Sequence, residues 1–141
     1  DAVQDAFDRI VEEGERAFIQ RMVPGGFVVC FGAHRDPQFG PLVMFGLGGV
    51  YVEVFEDVAF RLAPLGDDDA RAMVMETAAG KLLKGVRGQP PRDVDAVVGA
   101  IRRVGQLMED APEIAEIDLN PLIVGEKGEG AWAVDVRVVL A

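Results

Sequence analysis

With 141 residues, of which 50% are hydrophobic and 27% charged, the chain is long enough to enclose one sizeable core and too apolar to be disordered. A formal net charge of -10 leaves no basic surface to neutralise nucleic-acid phosphates, and no apolar run approaches the roughly 18 residues of a membrane span. We therefore expect one globular domain that binds neither nucleic acid nor membrane.

The only cysteine, Cys30, lies inside the apolar run "FVVCFGA" and has no partner for an internal disulfide. This setting predicts a buried thiol of low reactivity and favours a reducing, cytoplasmic compartment over an oxidising one. The sequence also begins within a helical pattern and without an initiator Met, so we expect a segment of a longer protein.

The first half of the chain alternates between short apolar runs and breakers. Apolar residues at helical spacing predict a helix over residues 1–13, with Asp1 as its cap. Strands are predicted at "AFIQRMV", "FVVCFGA" and "PLVMFG", with a turn at "HRDPQFG", and one or two more strands within residues 50–65. The only histidine, His34, falls in that turn, and an exposed turn residue is favoured over a role in proton or phosphoryl transfer.

The second half predicts helices and a closing hairpin. One helix is predicted from about Asp67 to Thr77, where "GDDDA" places acids at the helix start, and a clear amphipathic helix covers residues 93–108. The segment "GKLLKGVRGQPP" between them is expected to be irregular. Strands followed by helices and two further strands indicate a single α+β domain, a mixed and mostly antiparallel sheet covered by helices.

The hairpin within "EIDLNPLIVGEKGEGAWAVDVR" carries a run of alternating polar residues. Because strand side chains alternate, one face of its first strand holds Glu116, Asp118 and Asn120. If Val124 pairs with Ala131, which keeps the apolar sides together, Asn120 lies opposite Asp135. One apolar face is expected on the second strand, formed by Trp132, Val134, Val136 and Val138.

The amide oxygen of Asn120 and the carboxylate of Asp135 are hard oxygen ligands, and Mg²⁺ commonly takes one or two such protein groups together with phosphate oxygens. The same register places Asp118 opposite Arg137, which can orient that carboxylate or meet a phosphate. The alternative is a solvated acidic face with a cross-strand ion pair. The pattern alone leaves both interpretations open.

The glycines of "GLGG", residues 46–49, allow a backbone to approach an anion closely. No helical pattern follows them, as a Walker or dinucleotide-binding loop requires, so a tight strand-to-strand turn is the simpler interpretation.

Taken together, "GAHRDPQFGPLVMFGLGGVYVEVFEDVAFRLAPL", "GVRG" and "EIDLNPLIV" followed by "AVDVR" resemble the ATP-grasp region of NDP-forming (ADP-forming) acyl-CoA synthetases, which are related to succinyl-CoA synthetase β subunits. The resemblance covers essentially the whole chain and implies the C-terminal subdomain of an ATP-grasp fold. It also implies a reaction in which acid, CoA and ATP interconvert with acyl-CoA, ADP and phosphate through a phosphohistidine on another domain. The implied cofactors are ATP or ADP and Mg²⁺.

The resemblance assigns roles to individual residues. Asn120 and Asp135 match the family's magnesium ligands, and Asp118 matches an acidic, catalytic position near the phosphohistidine. The hinge segment whose backbone meets adenine corresponds to Gln20, Arg21, Met22 and Val23. The loop at the phosphate end corresponds to Gly48, Gly49 and Glu53. No role transfers to His34, because the family's phosphorylated histidine belongs to another domain.

The family pattern is incomplete in this chain. The subdomain that supplies the phosphate-binding lysine and glycine-rich loop is expected before Asp1, so the chain alone is expected to be inactive. Val28 stands where the family has a glutamate, which puts the nucleotide contacts in question. The implied partners are the nucleotide and the CoA-binding and ligase domains, and self-association through an exposed cleft face is also expected.

Two functions fit this resemblance. The first is the nucleotide-binding portion of an acyl-CoA synthetase. The second is a nucleotide- or acyl-CoA-sensing regulatory domain fused to a protein lysine acetyltransferase, which Val28 modestly favours. These motifs specify neither the acyl substrate nor a preference for ADP over GDP.

Overall fold

An antiparallel sheet with helices packed on one face organises the part of the chain that the computed structural model describes, residues 1–12, 15–48, 57–86 and 88–141. The strands are β1 (Phe27–Asp36), β2 (Gly40–Leu47), β3 (Val58–Leu62), β4 (Ile114–Val124), β5 (Ala131–Ala133) and β6 (Val136–Leu140). The helices are α1 (Ala2–Ile10), α2 (Asp67–Glu76), α3 (Ala78–Leu83) and α4 (Val94–Asp110). The strand order is β3-β2-β1-β4-β5, and β6 pairs with β4 along the same edge as β5.

The hydrophobic core lies between the sheet and helices α2 to α4. Helix α4 contacts β1, β2 and β4, and buries an apolar stripe at helical spacing: Val97, Val98, Ile101 and Met108. Alternate residues of β1 meet this layer, so Val29, Phe31 and Ala33 are buried. Arg35 lies next on the same side of β1. Its guanidinium donates to the carbonyl oxygens of Met108 (2.5 Å) and Ala111 (3.4 Å) at the end of α4.

Helices α2 and α3 are separated by a sharp break at Thr77. The Thr77 hydroxyl donates to the carbonyl of Val74 (2.9 Å) and accepts from the N–H of Gly80 (3.1 Å), which caps the start of α3. The break brings the two backbones so close that a Cβ on Gly80 would stand 1.9 Å from the Val74 carbonyl oxygen. Only glycine fits at this position.

The second side of the sheet, called the open face below, consists of the strand residues that alternate with those facing the helices. Cross-strand pairing places on it the residues Val28, Gly32, His34, Met44, Phe60, Glu116, Asp118 and Arg137. Apolar residues of this face are exposed: Val28 to 37% and Phe60 to 48%. The polar residues predicted as a site belong to this side, away from the core.

The alternation of β4 is interrupted at Asn120 and Pro121. Leu119 and Leu122 are both buried towards the helices although they are three residues apart, because the register of β4 on β1 shifts by one residue between them. The partner strands β5 and β6 are interrupted at the same place. Val136 pairs with Leu119 and Ala133 pairs with Leu122, so two residues separate the paired positions on both sides of the hairpin.

The single apolar face predicted for the second strand of the hairpin is therefore wrong. Trp132 pairs with Ile123, which pairs with Val28 on the open face, whereas Val136 and Val138 lie on the helix side. Val136 and Val138 remain 50% and 49% exposed, because β6 lies at the edge of the sheet.

The α+β expectation and the helices predicted at residues 1–13, 67–77 and 93–108 are confirmed, although α1 buries none of its residues. The strand predicted at "AFIQRMV" is wrong: this segment forms neither helix nor strand, because both edges of the following β1 are occupied by β2 and β4. His34 is exposed but lies in β1, and the turn is limited to residues 37–39. Helix α3 occupies part of the segment expected to be irregular.

Of the strands predicted within residues 50–65, β3 is observed and residues 50–56 lie outside the described part of the chain. No helix in the described ranges is long and apolar enough to cross a membrane.

Candidate functional site

Asn120 and Asp135 lie across from each other at the interruption of the hairpin. One continuous register runs from the Val124–Ala131 pair, as predicted, to the Leu119–Val136 pair, and it sets Asn120 opposite Asp135. Both residues are exposed and each neighbours a residue that faces the helices, so both side chains lie on the open face. An amide and a carboxylate are thereby presented side by side to solvent.

Asp118 lies one step along β4 from this pair. Its neighbours across the strands are Gly32 on β1 and, as predicted, Arg137 on β6. A Cβ on Gly32 would stand 2.6 Å from the carbonyl oxygen of Ile117, so the close approach of β1 and β4 beside Asp118 requires glycine. Within the described residues Asp118 forms no ion pair.

The negative charge of Asp118 also acts on Cys30. Burial and, second, this charge raise the pKa of the Cys30 thiol to about 11, while its sulfur donates to the carbonyl of Leu47 at 3.0 Å. The predicted burial of the Cys30 thiol is confirmed, and its raised pKa favours the protonated, poorly reactive form at neutral pH.

The guanidinium of Arg137 does not bond Asp118, its cross-strand neighbour. It donates instead to the diagonal Glu116, with 3.3 Å between Nη1 and Oε1, and the two side chains are 68% and 44% exposed. Such exposed pairs contribute only about 0.2–1 kcal/mol, so the contact is easily exchanged for another. The sequence analysis left open whether Arg137 orients Asp118 or meets a phosphate, and in the structure its side chain contacts Glu116.

A shallow pocket of about 270 Å³ extends from Asp118 towards β2 and β3. Its walls mix polar and apolar side chains: Gly32, His34, Met44, Phe60, Glu116 and Asp118. The pocket therefore joins the acidic side chains of β4 to an apolar surface formed by Met44 and Phe60.

The predicted hinge segment lies beside the hairpin. Gln20, Arg21, Met22 and Val23 line a groove of about 250 Å³ together with Ile123 and Val134. Val134 immediately precedes Asp135, and Ile123 lies three residues after Asn120. The structure therefore brings the predicted adenine segment next to the predicted metal ligands, although the segment is not a strand.

The predicted phosphate-end loop is only partly described. Gly48 follows β2, donates its N–H to the carbonyl of Val28 at 3.3 Å, and has no room for a side chain because a Cβ would stand 2.7 Å from Val28 Cγ1. A close backbone approach thus accounts for this glycine. Gly49 and Glu53 lie outside the described residues, and their assignments stay predictions.

A buried carboxylate fixes the turn that joins β4 to β5. Asp93 accepts from the N–H groups of Ala96 (3.0 Å), Gly128 (3.0 Å) and Gly130 (2.9 Å), so it caps α4 and holds the turn at once. Burial raises the pKa of Asp93, but the three donors outweigh it and leave the pKa below its usual value. The sequence analysis missed this anchor, although an Asp directly before an amphipathic helix is a recognisable cap signal.

The donor set at the hairpin fits a hard divalent cation that takes part of its coordination from a ligand. Within the described ranges, no three His, Cys, Asp or Glu side chains converge as a self-sufficient metal site. Asn120 and Asp135 supply one amide and one carboxylate oxygen, which matches the small number of protein ligands that Mg²⁺ needs when phosphate oxygens and water complete its shell.

Comparison with known proteins identifies the family and its close relatives. A family model described as an ATP-grasp domain matches residues 1–140. The chain is 49% identical over 126 residues to the ADP-forming acetate–CoA ligase I of Archaeoglobus fulgidus. This alignment covers 89% of this chain and 18% of the relative. It is 48% identical over 122 residues to the β subunit of the ADP-forming acetate–CoA ligase I of Pyrococcus furiosus, covering 86% of this chain and 52% of that subunit.

Solved structures of acetyl-coenzyme A synthetase 1 from Ca. Korarchaeum cryptofilum share the fold. The apo form superposes with a TM-score of 0.89 at 46% identity, over 99% of this chain and 66% of that one. The complex with coenzyme A and Mg-AMPPCP, in which the phosphohistidine segment points towards the nucleotide binding site, gives a TM-score of 0.80 at 50% identity, over 84% of this chain and 55% of that one. The chain thus spans about a fifth to a half of the length of the curated relatives described above.

Proposed function

Since the chain belongs to the ATP-grasp domain family, we propose that it binds the Mg–nucleotide of an ADP-forming acyl-CoA synthetase. The reaction of the whole protein would interconvert acid, CoA and ATP with acyl-CoA, ADP and phosphate through a phosphohistidine on another domain. Synthetase relatives at 48–49% identity and the Mg-AMPPCP complex of the Korarchaeum synthetase support this proposal.

The observation that carries the proposal is the cross-strand placement of Asn120 and Asp135 on the open face. A continuous register holds these two oxygen donors together without help from the core. Mg²⁺ bound there would neutralise charge on the nucleotide phosphates during phosphoryl transfer.

We assign the remaining predicted site residues roles around this pair. The groove between Gln20–Val23 and Ile123 would take the base, because it combines apolar side chains with a segment whose backbone groups are not used by the sheet. Asp118, without an ion-pair partner among the described residues, would face the incoming phosphohistidine and hydrogen-bond its imidazole. Gly49 and Glu53 would lie at the phosphate end of the same ligand.

We further propose that these residues are the C-terminal lobe of the ATP-grasp domain, and that the second lobe and the CoA-binding and ligase domains belong to other parts of the protein. The limited share of the relatives' length that the chain covers supports this division. The buried, unpaired Cys30 supports a reducing, cytoplasmic setting. The relatives described above are ligases and a synthetase, so they lend no support to a regulatory domain of an acetyltransferase.

Calorimetry with Mg–ADP on the full-length protein tests the metal assignment. Asn120→Ala and Asp135→Ala should each weaken binding by roughly tenfold or more, because each removes one of few protein ligands. Asp68→Ala, an exposed carboxylate on α2, is the matched control and should bind as the wild type does. Unchanged affinity in both hairpin variants would refute the assignment. Residues 1–141 alone should form no acyl-CoA, and turnover by this chain unaided would contradict the proposed division.

A further inference from the structure

Arg137 is the only Arg or Lys that the described strands carry on the open face. It lies opposite Asp118 and two residues after Asp135, on the same side of the sheet. Two residues along a strand span about 7 Å, a distance that an extended arginine side chain covers. The guanidinium can therefore reach any group held between Asn120 and Asp135.

The bonding state of Arg137 leaves most of its hydrogen-bonding capacity unused. Of five N–H donors, the structure shows one contact, from Nη1 to Glu116, and 68% of the side chain is exposed. Arg71 on α2, by contrast, is held by Asp95 at 2.7 Å and by Asp67 at 3.6 Å. Arg137 is held loosely, by one exposed partner.

The open face is negatively charged, so binding of a nucleotide there requires a cationic side chain that can move to the phosphates. Glu116, Asp118 and Asp135 are three carboxylates within one hairpin, and a nucleoside diphosphate brings further negative charge. One Mg²⁺ ion does not balance this total, and a guanidinium is the group best suited to phosphate because its planar donors bind two oxygens at once.

We propose that Arg137 binds the phosphates of the Mg–nucleotide and that Glu116 is its counter-ion in the nucleotide-free protein. The guanidinium leaves Glu116 when phosphate arrives, so the exposed Arg137–Glu116 pair and the Arg137–phosphate contact exclude each other. Glu116 then lowers nucleotide affinity by competing for Arg137. This inference rests on the function proposed above, because it needs phosphate at Asn120 and Asp135.

A double-mutant cycle on the full-length protein, read by calorimetry with Mg–ADP, tests the exchange. Arg137→Ala should weaken binding by about 10–100-fold, the loss expected for a charged hydrogen-bonded contact, and Arg137→Lys should restore part of it. Glu116→Gln should tighten binding by about two- to fivefold, the range of an exposed ion pair. Adenosine, which has no phosphate, should bind all variants equally, which a general disturbance of the fold would not allow.

The double variant, Arg137→Ala with Glu116→Gln, distinguishes a direct Arg137–Glu116 pair from a general effect of the negative charge of Glu116. In the Arg137→Ala background the gain from Glu116→Gln should disappear, whereas an equal gain in both backgrounds would overturn the exchange. Arg102→Ala removes another exposed, salt-bridged arginine, from α4, and should leave Mg–ADP affinity unchanged. If Asp135→Ala abolishes binding while Arg137→Ala does not weaken it, this inference fails and the metal assignment stands. If neither variant changes binding, both fail.

Discussion

The carboxylate of Asp93 joins the start of α4 to the turn between β4 and β5, so Asp93→Ala should destabilise the domain. The variant loses the N-cap of a 17-residue helix, a contribution of about 1 kcal/mol. It also loses two bonds from the N–H groups of Gly128 and Gly130, each contributing about 1 kcal/mol because water can replace the acceptor at this exposed turn. We expect the free energy of unfolding to fall by about 3 kcal/mol.

The variant Asp93→Asn removes the charge of the side chain but keeps an oxygen that can cap α4. Asparagine caps helices as well as aspartate does, so the bond from Ala96 should survive, but its amide nitrogen replaces the oxygen that accepts from Gly128 and Gly130, and the expected loss is about 2 kcal/mol. Urea unfolding followed by circular dichroism gives both values from the shift in midpoint at constant slope.

The lowered pKa of Asp93 determines the direction in which its contribution to stability changes with pH. The pKa of Asp93 is lowered in the folded state, so its stabilisation is fully present above the unfolded value of about 3.9. It is lost as the pH falls through the folded-state pKa. The difference between wild type and Asp93→Ala should therefore be constant from about pH 5 to pH 8 and should shrink below about pH 4.

Asp68→Ala provides the control, because Asp68 is an exposed acid in the first turn of α2 and its loss should cost less than about 0.5 kcal/mol. A loss below about 0.5 kcal/mol for Asp93→Ala, or a difference that stays constant down to pH 3, would refute the account of this anchor.

Two further outcomes follow from burial and close packing. Gly80→Ala should destabilise the domain by about 3 kcal/mol or more because its Cβ would overlap the Val74 carbonyl, whereas Gly99→Ala, at a helical glycine with only Arg103 side-chain atoms near, should stabilise it by about 0.5–1 kcal/mol; equal effects in urea unfolding would contradict this contrast. At pH 8, Cys30 should react with a disulfide reagent at least about 100-fold more slowly in the native protein than in urea, given its pKa of about 11, and comparable rates would show that the thiol is accessible.

Periodicity and cross-strand geometry were enough to predict α1, α2, α4 and the register of the hairpin, whereas the short helix α3 was missed. Helix α4 repeats its apolar residues at helical spacing, and Val124 opposite Ala131 follows from keeping apolar sides together. Asn120 and Asp135 were found by the same argument, because a register extends along two strands from a single pair.

Features that depend on tertiary contact were not predicted. The extra residue at Asn120 and Pro121 reverses the faces of the hairpin, and nothing in its alternating pattern shows on which side each half lies. Arg35 closes the end of α4 from a distant strand, a contact between residues 73 positions apart that leaves no local signal. Arg137 contacts Glu116 and not Asp118, although both are partly exposed carboxylates of equal charge, so side-chain geometry decides between them.

At the interruption formed by Asn120 and Pro121, the number of residues matters more for the pairing of the hairpin than their identity. Two residues separate the buried Leu119 from Leu122, and two residues likewise separate Val136 from Ala133 on the partner strands. Deleting either residue from β4 alone would keep Leu119 and Leu122 on the helix side, but it would leave one partner residue unmatched and end the continuous register that sets Asn120 opposite Asp135. The pairing of Asn120 with Asp135 should therefore tolerate many substitutions nearby but no insertion or deletion that is confined to one strand of the hairpin.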